Sequence, residues 1–169
     1  MFDEILDLVS HDDIVIDQLS RSEVYAQNLS NFRVVNAFIV NDKGQLWIPR
    51  RTKTKRIFPL CLDTSMGGHV TAGETYQQAF ERELKEELHL DANSVRYTMI
   101  GKLNPQDHQT SAFMQVYLIH LNNVNSYNTQ DFCEYFWLTP EECIKKLHNG
   151  DISKGDLPKI ITHLFLSKK

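Results

Sequence analysis

Three glutamates stand within one short stretch, Arg82-Glu83-Leu84-Lys85-Glu86-Glu87. On a helix, Glu83, Glu86 and Glu87 occupy positions i, i+3 and i+4, so their carboxylates share one face. Like charges that close repel, which costs free energy unless a cation lies between them. Hard carboxylate oxygens suit Mg²⁺ or Mn²⁺, and those ions in turn suit a substrate that carries phosphates. Just upstream runs Gly67-Gly68-His69-Val70-Thr71-Ala72-Gly73-Glu74, a glycine-rich turn followed at once by a fourth carboxylate. Glutamate-rich helices are usually solvated faces, and Arg82 or Lys85 provides partners for that reading here. The glycine turn, Glu74 and Arg82, all in register with the glutamates, favour a metal site instead.

Such a site can hydrolyse a phosphoanhydride. That reaction needs a nucleophilic water and neutralisation of charge on phosphate oxygens, and a divalent ion serves both needs. Arg50-Arg51-Thr52-Lys53-Thr54-Lys55-Arg56 places five basic residues in seven. A run of this kind is usually a solvated loop. Beside a diphosphate site it can instead attract the anionic substrate, with Arg51 and Lys55 the better placed. Asp63 either orients the glycine turn or closes a turn of its own.

The elements that must position these residues are legible from patterning. Residues 4–9 and 13–19 alternate as strands do, joined by a turn at His11-Asp12-Asp13. Ser20 or Ser22 caps a short helix reaching Asn28. A buried strand is expected over 32–40, and Asn41-Asp42-Lys43-Gly44 turns the chain into another over 45–49. Thr75 and Gln78 form a capping box for the glutamate helix, which runs to about His89 with Ala79, Leu84 and Leu88 facing the core. Strands follow over 95–102, 113–121 and 136–138, with the stretch from Asn104 to Gln109, including His108, read as a loop. Thr139-Pro140-Glu141-Glu142 opens another helix. Residues 157–166 close the chain as an amphipathic helix. Mixed strands and helices along one chain predict an α/β sandwich.

At 169 residues the chain suits a single domain over 1–169, with residues 1–30 as a hairpin extension. Hydrophobic content of 41% and charged content of 24% are ordinary for a globular protein. A net charge of −4 gives no reason to expect a nucleic-acid polymer as partner. No apolar run is long enough to span a membrane. The acidic start Met1-Phe2-Asp3-Glu4 lacks the basic region of a signal peptide. Cys61, Cys133 and Cys143 show no Cys-x-x-Cys spacing, so reduced thiols that mostly pack are expected. Together these features predict a cytoplasmic protein.

From Gly68 to Leu90 the chain resembles the Nudix hydrolase signature: glycine, five residues, Glu, seven residues, then Arg-Glu-aliphatic-any-Glu-Glu-any-Gly-aliphatic. Gly68, Glu74, Arg82, Glu83, Leu84, Glu86, Glu87 and Leu90 fill their slots, and His89 stands where glycine is usual. The resemblance implies an α/β/α sandwich with a curved mixed sheet and Mg²⁺-dependent (or Mn²⁺-dependent) cleavage of a small-molecule diphosphate. It implies Glu83, Glu86, Glu87 and the Gly68 carbonyl as metal ligands, with Glu74 orienting the site and Arg82 holding one glutamate. Nudix-like proteins often carry another ligand or base near the strand that contains Trp137, which points to Glu134 ahead of Asp131. Dimers are common among such domains, so a homodimer is compatible with the resemblance.

Ser20-Arg21-Ser22-Glu23-Val24, Leu46-Trp47-Ile48-Pro49-Arg50-Arg51 and Leu62-Asp63-Thr64-Ser65-Met66-Gly67-Gly68-His69 look like the isopentenyl-diphosphate isomerase-like branch. The Leu-Trp-Ile-Pro-Arg-Arg run with Lys55 is also similar to the Nudix domain of thiamine-pyrophosphokinase-related proteins. Isomerase chemistry is the rival reading, but Gly67 stands where that enzyme has its cysteine. Tyr25 and Phe32 stand where it has two metal-binding histidines. His69 alone is kept, and it is read as a polar residue beside the substrate phosphates. A second rival, a catalytically weak domain kept for ligand or protein binding, sits poorly with four intact glutamates.

Overall fold

The computed structural model describes residues 3–167. The Met1-Phe2 part of the N-terminal reading lies outside them. Alternating apolar residues form β1 (Ile5–Val9) and β2 (Val15–Ser20), which pair antiparallel as the expected hairpin. This hairpin is a two-stranded sheet of its own. Leu6 and Leu8 bury against Val24, Phe32 and Ala112, which seats it on the body of the protein. Ser20 then caps α1 (Arg21–Ala26) and forms a capping box with Glu23. A cap of this kind contributes about 1 kcal/mol.

The main sheet runs β6 (Arg96–Leu103), β7 (Phe113–His120), β3 (Arg33–Val40), β4 (Leu46–Arg51), β8 (Phe132–Leu138). The short β5 (Met66–His69) pairs with β3 off this path. β3 and β7 are parallel, while the other pairs are antiparallel, so the sheet is mixed. One edge of β3 serves two strands, β4 at Val40 and β5 over the four residues Val34, Val35, Asn36 and Ala37. Buried Ser65 fills the divergence, its Oγ donating to the Trp47 carbonyl at 2.5 Å and accepting from the Ile39 amide at 2.8 Å. The hydroxyl thus pairs two backbone groups, the Trp47 carbonyl and the Ile39 amide, where the strands part.

Helices cover both faces. Ala79, Phe80, Leu84 and Leu88 of α2 (Tyr76–Leu88) pack on Val35, Ala37, Ile39, Trp47 and Tyr117. On the other face, α4 (Pro140–His148) and α5 (Asp156–Ile161) enclose Phe38, Leu46, Ile48 and Val116. Each fully buried leucine contributes roughly 1.5–3 kcal/mol. The architecture is the expected α/β/α sandwich.

Four elements differ from their expected form, the first being β5 itself, which places Gly67 and Gly68 in a strand rather than in the expected glycine-rich turn. β8 begins at Phe132 rather than Phe136, because on this edge strand Cys133, Glu134 and Tyr135 are all exposed and no apolar alternation marks them. The closing helix divides into α5 and a π-helical turn, Thr162–Leu166. The segment after Asn104 is a one-turn helix, α3 (Pro105–His108), capped by the Asn104 side chain. The three cysteines are free, with Cys61 and Cys143 buried and Cys133 exposed. Among the described residues, no helix is long and apolar enough to cross a membrane.

Candidate active site

α2 begins at Thr75, whose side chain accepts from the Gln78 amide while Gln78 returns a bond to Thr75. It ends at His89, which takes the left-handed conformation with φ 55° and ψ 31°. The Leu90 amide reaches back to the Leu84 carbonyl at 3.3 Å, as in a glycine-terminated helix. Histidine in the glycine slot therefore leaves the cap geometry intact. Its ring is anchored outside the helix, with Nδ1 2.5 Å from Ser126 Oγ.

Between these caps the acidic face meets Gly67 and Gly68, which are residues of β5 rather than of the expected turn; the turn itself follows at Ala72 and Gly73. Glu83 lies so close to Gly68 that a Cβ there would stand 1.9 Å from Glu83 Oε1. Only glycine permits this approach. Glu87 accepts a hydrogen bond from the Gly67 amide at 3.0 Å, and its own carbonyl accepts from Asn128 at 2.7 Å. Arg82 ties the glutamates together. It donates to both oxygens of Glu74 at 2.9 Å, to Glu83 Oε1 at 2.6 Å and to the His69 carbonyl at 2.9 Å. Glu74 also accepts from the amide and hydroxyl of Thr71. Glu86 is more loosely held, 3.7 Å from Arg82, with its side chain 60% exposed.

The electrostatics follow from this packing. Burial pushes the Glu83 carboxyl up to about 7, against the opposing pull of Arg82. Burial also raises Glu87 well above the usual carboxylate range, and the neighbouring Glu83 charge adds to the effect. Burial would raise Glu74 too, but the bonds from Arg82 and Thr71 outweigh it and hold that carboxyl low. Among the described residues, no three Asp, Glu, His or Cys side chains converge as a ready-made cage. The donor set nonetheless fits a hard divalent cation. A buried and a half-buried carboxylate that both resist ionisation, a third within one helical turn and a glycine backbone pressed against the first are all oxygen donors.

The other expected site residues are placed more diversely. Arg51 is held by Asp63 at 3.0 Å and by the carbonyls of Ile57 and Phe58 at 3.1 Å. Lys55 is paired with Asp131. Asp63 and Asp131 both lie near enough to Glu87 to raise its carboxyl, so these two ion pairs border the acidic face. Asp63 thus orients Arg51 and also meets Lys154 at 3.4 Å. Glu134 does not join the cluster. It pairs with Arg50, which also binds Asp151 and lies 5.6 Å over the Phe136 ring on the α4 side of the sheet. The expectation for Glu134 is corrected by strand alternation, which aims it away from α2.

His69 packs beside Tyr25 and Phe32, with ring centroids 6.0 and 5.8 Å away. Tyr25 Oη stands 3.0 Å from its Nε2, and Glu4 is 3.4 Å from its Nδ1. The positions matched to the isomerase histidines do meet in space, but as a tyrosine, a phenylalanine and one imidazole. Sequence reasoning missed Glu4 and Asp7 entirely. A signal for them existed only in the hairpin pattern, which says nothing about what lies across from it.

A profile of the family described as NUDIX domain matches residues 30–157. A sequence from Nostoc sp. (strain PCC 7120), described as an uncharacterized Nudix hydrolase, is 57% identical over 158 residues, 94% of either chain. A Nudix hydrolase from Deinococcus radiodurans is 39% identical over 163 residues, 96% of this chain and 95% of its own. A crystal structure of a Deinococcus radiodurans protein superposes with a TM-score of 0.90 at 38% identity, covering 96% of this chain and 99% of that one.

Proposed function

This chain belongs to the Nudix family of hydrolases, which act on pyrophosphate bonds, and from that premise we propose Mg²⁺-dependent cleavage of a small nucleoside or other organic diphosphate. The approach of Glu83 to Gly68, with Glu87 bound to the adjacent Gly67 amide, is the observation that carries this reading. Glu83, Glu86, Glu87 and the Gly68 carbonyl would hold the ion. When bound, it supplies charge neutralisation at the diphosphate and a more acidic water.

The remaining work falls to the chain's own side chains. Glu74 and Arg82 form a strut that fixes Glu83. Exposed Glu86 faces the solvent from which substrate arrives. Lys55, anchored by Asp131, has a flexible stem that can turn toward a phosphate. Arg51, bonded to a carboxylate and two carbonyls, braces the basic loop instead. His69 is oriented by Glu4 and Tyr25 at the flank.

Hydrolysis of nucleoside, dinucleotide, isoprenoid and thiamine diphosphates, followed as release of phosphate or of a monophosphate ester, with Mg²⁺, with Mn²⁺ and with chelator, tests the proposal. Release from at least one compound, abolished by chelator, is expected. Release that survives chelation would refute the metal-dependent chemistry, and silence across the panel would refute the stated substrate range.

A further inference from the structure

Residues before 30 lie outside the stretch that matches the family, yet the β1–β2 hairpin grips the glycine turn at both ends. At the far end Asp7 is only 3% exposed. Its Oδ2 accepts from the Gly73 amide at 2.9 Å and its Oδ1 from Gln18 Nε2 at 2.8 Å. The next amide back, Ala72, donates to the Ile5 carbonyl at 2.8 Å, and Leu6 bridges to Thr71. At the near end, Glu4, just before β1, and Tyr25, on the α1 helix that follows the hairpin, hold the His69 ring.

Gly73 has φ +79° and open space where a side chain would be, so no packing fixes this residue itself. The bond to Asp7 holds its amide, while Glu74 and Thr71 bond to each other across the turn. Taking a carboxylate out of water is costly even with two donors to meet it, and a hairpin can be stapled to a body by apolar contacts alone. Leu6 and Leu8 already supply those contacts. What lies beyond the turn is more telling. Glu74 follows Gly73 directly, binds Arg82 through both oxygens, and Arg82 in turn holds Glu83.

We propose that Asp7 is a positioning residue, which through Gly73, Glu74 and Arg82 sets Glu83 against Gly68. The hairpin is then part of the site rather than an appendage to it. The proposal rests on the reading of Glu83 as a metal donor, so its test separates the two. Mn²⁺ binding is measured by calorimetry on wild type, Asp7→Ala and Asp7→Asn, together with hydrogen exchange at the Gly73 amide. Asparagine can accept from Gly73 and donate to a turned Gln18 amide, so it restores both bonds.

Asp7→Ala should weaken Mn²⁺ binding by about 10- to 100-fold and speed Gly73 exchange, while Asp7→Asn stays within about threefold of wild type. A folded Asp7→Ala with a lower melting temperature but wild-type Mn²⁺ affinity would overturn the proposal and leave the metal site standing. Absence of Mn²⁺ binding in wild type would overturn both. If Asp7→Ala does not fold, Asp7→Ser, too short to reach both partners, provides the same comparison.

Discussion

Glu83 and Glu87 are each more readily protonated than an exposed glutamate would be. Burial raises the Glu83 carboxyl from the ordinary 4.5 to about 7, and Glu87 moves in the same direction. The folded state therefore binds protons that the unfolded chain releases. This stabilisation is complete below about pH 4.5 and is lost as pH rises through about 7. In chelator, the melting temperature should fall between about pH 5 and pH 8, and added Mg²⁺ should restore more of it at the higher pH. Thermal melts across that range check this, and a chelated protein that gains stability with pH would contradict it. The glutamates were legible in the chain because a helix has a fixed period. Glu134 was not, because its face depends on which side of an edge strand it occupies, and exposed neighbours hide that alternation.

The helix that carries these groups is defined by its ends. Its capping box at Thr75 and Gln78 could be read directly, since both partners are local. The left-handed end at His89 was legible only as a departure from glycine. The structure supplies the reason it is tolerated: the backbone keeps its cap bond and the ring finds Ser126. A β-branched side chain has no such tolerance. His89→Val should lower stability by about 1–2 kcal/mol, whereas His89→Gly should leave it equal or higher. Urea unfolding of the three proteins decides this, and a His89→Val variant as stable as wild type would show that the cap is not strained. Both variants should keep their activity below their melting temperatures, because neither touches a carboxylate. The element boundaries that patterning misplaced, those of β8 and the closing helix, are where edge exposure or a widened turn breaks the regular period.

At the scale of the molecule, the site exists because β3 shares one edge between β4 and β5. That division lets Gly67 and Gly68 approach α2, and Ser65 pairs two backbone groups where the strands part. Sandwich architecture and the glycine-glutamate constellation could both be read from residue order. The hairpin's grip on the turn could not, since Asp7 and Gly73 are far apart in the chain and no local pattern links them. The ion pairs of Arg50, Arg51 and Lys55 were hidden for the same reason, and they hold three of the five cations of the basic run.

On the proposed function, the carboxylates of α2 gathered against Gly67 and Gly68 hold the ion that drives hydrolysis. Glu87→Gln keeps the side chain's size and its capacity to accept from Gly67, so the fold should survive. The rate of phosphate release from the best diphosphate substrate, at saturating Mg²⁺, is the direct test. The variant should turn over about a hundredfold more slowly or worse, with the wild-type fold by circular dichroism. A folded Glu87→Gln that releases phosphate at the wild-type rate would contradict the assignment of this face as the metal site.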